Sequence, residues 1–282
     1  MDRGHLQGLE LDVGHLGGLE MDTRHLGGLE VDVGHLHSLE LDTGHLSGLE
    51  MDIGHLHSLK MNVRYLHGLK MDAGHLGGLE MDTGHISSLE IDVGHFSGLN
   101  LEIGHLCALE MSVGHIVGWE MNTGHLRGLE MDVGHLRGLE MDTGHLHGLK
   151  MDTGHLHGFK MDIGYVRGLK MDICYICVLE LDVGHLSGLQ LNTGHLRGLE
   201  LHAGHLSGLE LDAGHLRRLW QGLQLNICHF SGLQINIGDI CGLWQGLQLD
   251  VGDLQGLRQG LELDVCHLTI LQLDVGDLRG LW

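Results

Sequence analysis

The chain has 282 residues, with 48 glycines and no proline, and 42% of its residues are hydrophobic. Its 16 lysines and arginines against 38 acidic residues give a net charge of −22, so we expect no direct binding to a nucleic-acid backbone. No run of about 18 apolar residues and no signal peptide is present, so we expect no membrane span and take a cytoplasmic location as the default.

A ten-residue unit repeats along the chain and is clearest at residues 129–138, which read Leu-Glu-Met-Asp-Val-Gly-His-Leu-Arg-Gly. The phase is unbroken over residues 1–218, which form a regular decapeptide array. Residues 219–282 continue the array with three four-residue insertions, at 219–222, 243–246 and 257–260. Self-similarity at a fixed period predicts a repeat architecture in place of conventional domains.

The unit has the periodicity of a β-strand. Alternation sends Leu129, Met131 and Val133 to one side of a strand and Glu130 and Asp132 to the other. An α-helix would turn by about 1000° in ten residues, so its leucines would form no persistent stripe. Because ten residues are too few to enclose several large side chains, we predict an all-β solenoid with about 20 residues per coil and glycines at the corners.

Apolar residues also recur every five positions, at 6, 11, 16, 21, 26 and 31. Together with the segment 134–138, Gly-His-Leu-Arg-Gly, this rhythm resembles the pentapeptide-repeat family over residues 1–218. The resemblance implies an elongated right-handed, four-sided β-solenoid in which the central apolar residue and the residue two before it point inward. Leu139 departs from the family pattern, and Arg24 and Arg64 stand where the resemblance implies a small inward residue.

Histidines supply the candidate metal-binding chemistry. Four units contain His-Leu-His, and the two histidines of such a pair project to the same side of a strand. With the predicted coil length, which is twice the repeat unit, one pair lies directly beneath another, which predicts a site for zinc, nickel or copper. The predicted ligands are His35, His37, His55 and His57. A coil of ten residues would instead stack His145, His147, His155 and His157. The alternative to both is a solvated outer surface.

No catalytic constellation stands out, because nearly every unit offers the same groups in the same order. No phosphate-binding loop or dinucleotide-binding motif is present. The six cysteines are placed irregularly, and the pair Cys174 and Cys177 has no second pair to complete a metal site. We therefore predict no enzymatic activity, no catalytic residues and no cofactor apart from the metal ions named above.

The leading functional hypothesis is a non-catalytic repeat scaffold for protein interaction or self-assembly. Its ligand is then a protein partner or another copy of the chain. The first alternative is divalent-metal binding by ladders of histidine, aspartate and glutamate. The resemblance adds a second, because some pentapeptide-repeat proteins are acidic rods that imitate DNA, and the charge of −22 is compatible with this. A third is an expanded tandem repeat in a reading frame without selected function.

Overall fold

The computed structural model describes residues 4–217, 223–241, 248–251, 262–264 and 271–279. In these ranges the chain is all-β and forms a parallel β-solenoid of about 10 turns with roughly 20 residues per turn, which confirms the predicted fold class. None of the described residues belongs to a helix that is long and apolar enough to cross a membrane.

The strands follow the ten-residue unit, and many continue through its glycines. They are β1 (His5–Leu6), β2 (Leu9–Leu16), β3 (Leu19–Leu26), β4 (Leu29–Leu46), β5 (Leu49–Leu66), β6 (Leu69–Leu76), β7 (Leu79–Ile86), β8 (Leu89–Leu106), β9 (Leu109–Ile176), β10 (Leu179–Leu196), β11 (Leu199–Arg217), β12 (Leu223–Cys241), β13 (Gln248–Val251), β14 (Glu262–Asp264) and β15 (Leu271–Arg279).

Strands pair in parallel and in register, so each residue lies over its equivalent in the next coil. Leu29 pairs with Leu49 between β4 and β5, and Leu179 pairs with Leu199 between β10 and β11. Between β11 and β12 the separation in sequence is larger, because Leu199 pairs with Leu223. The three predicted insertions, at 219–222, 243–246 and 257–260, lie outside the described residues.

The core consists of four inward side chains from every ten residues, most of them apolar, with threonine at the third inward position of several units. In residues 29–36 the inward positions are Leu29, Val31, Val33 and Leu36, each at most 2% exposed, while the residues between them face solvent. Inward and outward residues alternate as expected for a strand that is buried on one side. At about 25 cal/mol per Å² of buried apolar surface, this continuous column of aliphatic side chains is the main stabilising contribution.

The structure differs from the pentapeptide-repeat pattern at the glycine before each histidine. That pattern implies an inward side chain at this position, but Gly34, Arg24 and Arg64 are all exposed, and Val33 occupies the inward place. A Cβ added to Gly34 would lie 2.8 Å from the carbonyl oxygen of Gly14, one coil earlier. Glycine is therefore favoured at this position, because the backbone of the previous coil leaves little room for a Cβ atom. The side chains of Arg24 and Arg64 extend into solvent from the same position.

The chain divides into two compact units, Met1–Leu136 and Arg137–Trp282, called unit 1 and unit 2 below. For description we divide each coil into four stretches of sequence, two of five residues and two of three, which we call the long and short faces and name from the coil 9–28. Face A is 9–13, face B is 15–17, face C is 19–23 and face D is 25–27, and each face continues with the equivalent residues of the following coils.

Candidate binding surfaces

The outward histidines of the short faces stack into ladders. On face B of unit 1, successive ring centroids are 4.7 to 4.9 Å apart, and the ring planes are within 10° of parallel. This spacing matches the separation of hydrogen-bonded strands, because parallel in-register pairing places each ring over its equivalent. The ladder contains His15, His35, His55, His75, His95, His115 and His135.

Face D of unit 1 carries a second ladder, in which Tyr65 replaces one histidine and stacks between His45 and His85. Burial lowers the pKa of His25 in this ladder, and the charges of its neighbours His5, His45 and Arg24 lower it further. Both effects disfavour the charged imidazolium. The face D ladder of unit 1 therefore contains a histidine that favours the neutral form.

The four predicted metal ligands lie next to each other on face B. The rings of His35 and His55 are 4.7 Å apart, and those of His37 and His57 are 5.0 Å apart, with interplanar angles of 4° and 8°. Across the described part of the chain, no group of three or more histidine, cysteine, aspartate or glutamate side chains is arranged to hold a metal ion. Metal binding at these four residues remains a prediction.

The alternative metal set is wrong, because it requires coils of ten residues. In the observed register His145 stacks on Tyr165 on face D, whereas His155 stacks on Tyr175 on face B. The two histidine pairs of this alternative set therefore lie on different faces and do not stack.

The long faces carry carboxylate ladders that two lysines interrupt in unit 1. The ammonium of Lys60 lies 3.2 Å from the Glu80 carboxylate on face C, and that of Lys70 lies 3.5 Å from Glu90 on face A. All four side chains are more than half exposed, so each pair contributes at most about 1 kcal/mol. Face A between residues 10 and 52 has no such cation, and its outward carboxylates are Glu10, Asp12, Glu30, Asp32, Glu50 and Asp52.

Face A has a different charge in unit 2. The positions that hold glutamate in most of unit 1 are occupied there by Lys150, Lys170, Gln190 and Glu210. The amide nitrogen of Gln190 donates a hydrogen bond of 2.8 Å to the Glu210 carboxylate. The sequence shows these substitutions, but only the register of the coils shows that the four residues are neighbours on one face.

The corner between faces D and A has two conformations. At residues 28, 48, 68, 88 and 108 in unit 1 the strand is interrupted, and the amide of Leu49 donates to the carbonyl of Gly68 at 3.0 Å. Ser88 and Ala108 adopt the interrupted form, so this form does not require glycine. A corner with φ in the left-handed region, by contrast, is open mainly to glycine. The strand continues, with φ between 75° and 83°, at Gly128 near the end of unit 1 and at Gly148, Gly168, Gly188 and Gly208 in unit 2.

Each conformation is associated with a different groove. In unit 1 a groove of about 470 Å³ follows the corner itself, past Glu10, Glu30, Glu50 and Glu90. In unit 2 a groove of about 570 Å³ follows face D instead, between the outward rings and the residues two positions later. Its ring wall consists of His145, Tyr165, His185 and His205. Neither groove was predicted from the sequence, and corner residues line the groove of unit 1 but not that of unit 2.

The core contains a few polar atoms without partners. The hydroxyls of Thr43, Thr83 and Thr153 and the indole nitrogen of Trp119 are buried and make no hydrogen bond. Thr193, at an equivalent inward position in unit 2, donates to the carbonyl of His195 at 3.2 Å. Thr43 pairs in register with Thr23, whose hydroxyl is also buried without a partner. Buried hydroxyls without hydrogen bonds add to the cost of folding.

The chain matches no family model, and no curated protein or solved structure is significantly similar to it. Among the described cysteines, Cys107, Cys174 and Cys177 are free thiols, the first two of them exposed.

Proposed function

We propose that the chain is a non-catalytic repeat scaffold that binds a protein partner or further copies of itself through its exposed ladders. This proposal rests on the alternation of inward apolar and outward polar residues along the described coils of the regular array. Apolar residues are buried, and like side chains stack outward into flat faces. Such faces present the same chemical group at each step of about 4.8 Å, which suits a partner with its own linear repeat.

Face A of unit 1 is the strongest candidate surface for such a partner. Its six carboxylates from Glu10 to Asp52 are exposed or nearly so, and no lysine or arginine interrupts them. A uniform charge of one sign favours a partner of the opposite sign and accelerates the encounter with it. A basic protein segment, or a basic segment of another copy, is therefore the expected ligand.

Sedimentation velocity of the purified full chain tests this proposal, first alone over a range of concentrations and then with a lysine-rich peptide. We expect either concentration-dependent assembly or saturable peptide binding, and salt should weaken both. The double variant Glu30→Lys and Glu50→Lys should reduce the interaction, whereas Glu20→Lys with Glu40→Lys on face C is the matched control. A chain that stays monomeric and binds no peptide would contradict the proposal.

A second candidate function is divalent-metal binding at His35, His37, His55 and His57. It is favoured by the observation that both stacked pairs lie on one face, 4.7 and 5.0 Å apart. Calorimetric titration with zinc at neutral pH should show saturable binding that His37→Gln with His57→Gln abolishes. The control is His95→Gln with His115→Gln, because the residues two positions later there are Ser97 and Val117. An equal loss of zinc binding in both double variants would contradict a site at these four histidines.

We also propose that the coil is right-handed and four-sided, as the resemblance to pentapeptide-repeat proteins implies. The parallel stacking of coils at a separation of 20 residues supports this, because that family also has 20 residues per coil. The inward position of Val33 in place of Gly34 is a departure from that family. An experimental structure with left-handed coils would contradict the proposal.

A further inference from the structure

The face D groove of unit 2 has a regular shape that the strand geometry dictates. It crosses four coils, so its length is about three steps of 4.8 Å, or about 14 Å. Its two walls are outward residues at positions i and i + 2 of one strand, which are about 6.7 Å apart along the chain. The floor is backbone, because the intervening side chains, such as Leu146 and Leu186, point into the core.

The ring wall presents edges to the groove. His145 and Tyr165 are stacked at 5.0 Å, Tyr165 and His185 at 4.7 Å, and His185 and His205 at 4.5 Å. Because each ring face is covered by the next ring in the ladder, the exposed part of Tyr165, 52% of its surface, includes the ring edge and hydroxyl. Ring edges carry partial positive charge and prefer to contact the face of another aromatic ring.

The space between the walls suits a flat ligand. This slot has a volume of about 570 Å³ over a length of about 14 Å, or an average cross-section of about 40 Å², which accommodates an aromatic ring that stands on edge. A planar ligand that stands on edge in this slot places one face against the ring edges and the other against Arg167 and Ser187. Guanidinium groups also stack well on aromatic faces.

The charge of the groove favours an anion. None of its lining residues is acidic, and Arg167 stands on the second wall, although the chain as a whole has a charge of −22. Around the adjoining corner, Lys150 and Lys170 occupy positions that hold glutamate in most of unit 1. Carboxylates such as Asp162 lie beyond the opposite corner, on face C, so the cationic side of the groove is the side of Arg167.

We propose that this groove is a binding site for a linear, planar aromatic anion that lies along the stack of coils. Its ring faces contact the ring edges of Tyr165 and His185, and its anionic group lies beside Arg167. This site is independent of the scaffold function, because it requires neither a protein partner nor the acidic face A of unit 1.

A titration of the purified full chain with Congo red, a linear planar bis-sulfonate dye, tests the site by absorbance. We expect saturable binding that Arg167→Glu weakens by at least about tenfold, since the change replaces a charge-assisted contact with repulsion. Ser187→Phe should abolish binding without a change of charge, because it fills the slot. Arg167 is exposed and Ser187 is half-buried on the outward side of its strand, so both variants should keep the circular dichroism spectrum of the parent chain.

Arg197→Glu is the matched control, because Arg197 is an outward arginine of unit 2 that lies on face B, outside the groove. Its dye affinity should stay within about twofold of the parent chain, as for surface changes remote from a binding site. Equal weakening by Arg197→Glu and Arg167→Glu would show a general charge effect and overturn the proposal. Absence of saturable binding, or unchanged binding to Ser187→Phe, would overturn it as well.

Discussion

The same corner of the coil, between faces D and A, is built in two ways, as one glycine from each unit shows. In unit 1 Gly68 occupies the interrupted form, with its carbonyl accepting from Leu49, whereas in unit 2 Gly168 has a φ of 75° within a continuous strand. The local sequences, His-Gly-Leu-Lys and Arg-Gly-Leu-Lys, are nearly identical. The comparison shows that glycine permits both corners and that contacts with neighbouring coils select between them.

The two units also differ in what lies beside this corner. Unit 1 has an acidic face A and a groove along the corner, while unit 2 has lysines on face A and a groove on face D. One repeat unit thus gives two surface chemistries on one type of core. Differences in function between the units are therefore expected to depend on outward residues and corners, and differences in stability on inward residues.

The largest expected effect comes from emptying the core in each unit separately. Phe159→Ala in unit 2 and Trp119→Ala in unit 1 should each lower the free energy of unfolding by about 3–5 kcal/mol, since both side chains are at most 2% exposed. Because repeats contact only their neighbours, hydrogen exchange should accelerate mainly in the unit that carries the change. Val178→Ala, at a 36% exposed position, is the control. Equal acceleration in both units would contradict local cooperativity.

A glycine-to-alanine substitution at equivalent corners of the two units should have different effects on the free energy of unfolding. Gly168→Ala should cost about 1–2 kcal/mol, because an L-residue is strained at positive φ even though no atom lies within 4 Å of the added Cβ. Gly68→Ala should instead be neutral or stabilise by up to about 1 kcal/mol, since its Cβ would meet only the Ser88 hydroxyl at 3.6 Å. Urea denaturation measures both, and equal losses would show that the two corners have one conformation.

Buried threonines provide a smaller contrast. Thr83→Val in unit 1 should stabilise the chain by about 1 kcal/mol, because it replaces an unpaired buried hydroxyl with a methyl group of similar size. Thr193→Val in unit 2 should destabilise by about 1 kcal/mol, because it removes the hydrogen bond to the His195 carbonyl. Thermal and urea unfolding of both variants checks the opposite signs. Destabilisation by Thr83→Val would mean that its hydroxyl has a partner after all.

The smallest expected effect concerns the pH dependence contributed by His25. Its pKa is lower in the folded chain than when unfolded, so the unfolded state binds more protons as the pH falls through the unfolded pKa. The contribution of this histidine to the free energy of unfolding is therefore constant above its unfolded pKa and decreases as the pH falls from the unfolded pKa to the lower folded pKa.

The Arg24→Gly variant tests the cause of this shift. It restores the glycine of the repeat and removes one neighbouring cation, so NMR titration should show a higher pKa for His25. Arg64→Gly makes the same change two coils away and should leave the titration of His25 unaltered. A shift of the same size in both variants would exclude Arg24 as a local cause.

Several features of the candidate surfaces were predictable from the register. Once the coil spans two repeat units, His35 must lie over His55 and His37 over His57, as observed. The near-parallel orientation of these rings was not predictable, because it depends on side-chain rotamers in a stack. The face D groove was not predictable either, since it is formed by side chains of four successive coils, among them the neighbours of Tyr165.

The sequence by itself determined the strands, the alternation of buried and exposed residues, and the length of the coil. The strands and the alternation follow from the spacing of leucine, methionine and valine within a single repeat, whereas the coil length follows from the space that the inward side chains need. The tertiary structure decided the conformation of each corner, the exposure of the glycine before each histidine, and the position of the grooves. Glycine imposes little preference on φ, so contacts between coils, which no single repeat contains, select among the conformations that it allows.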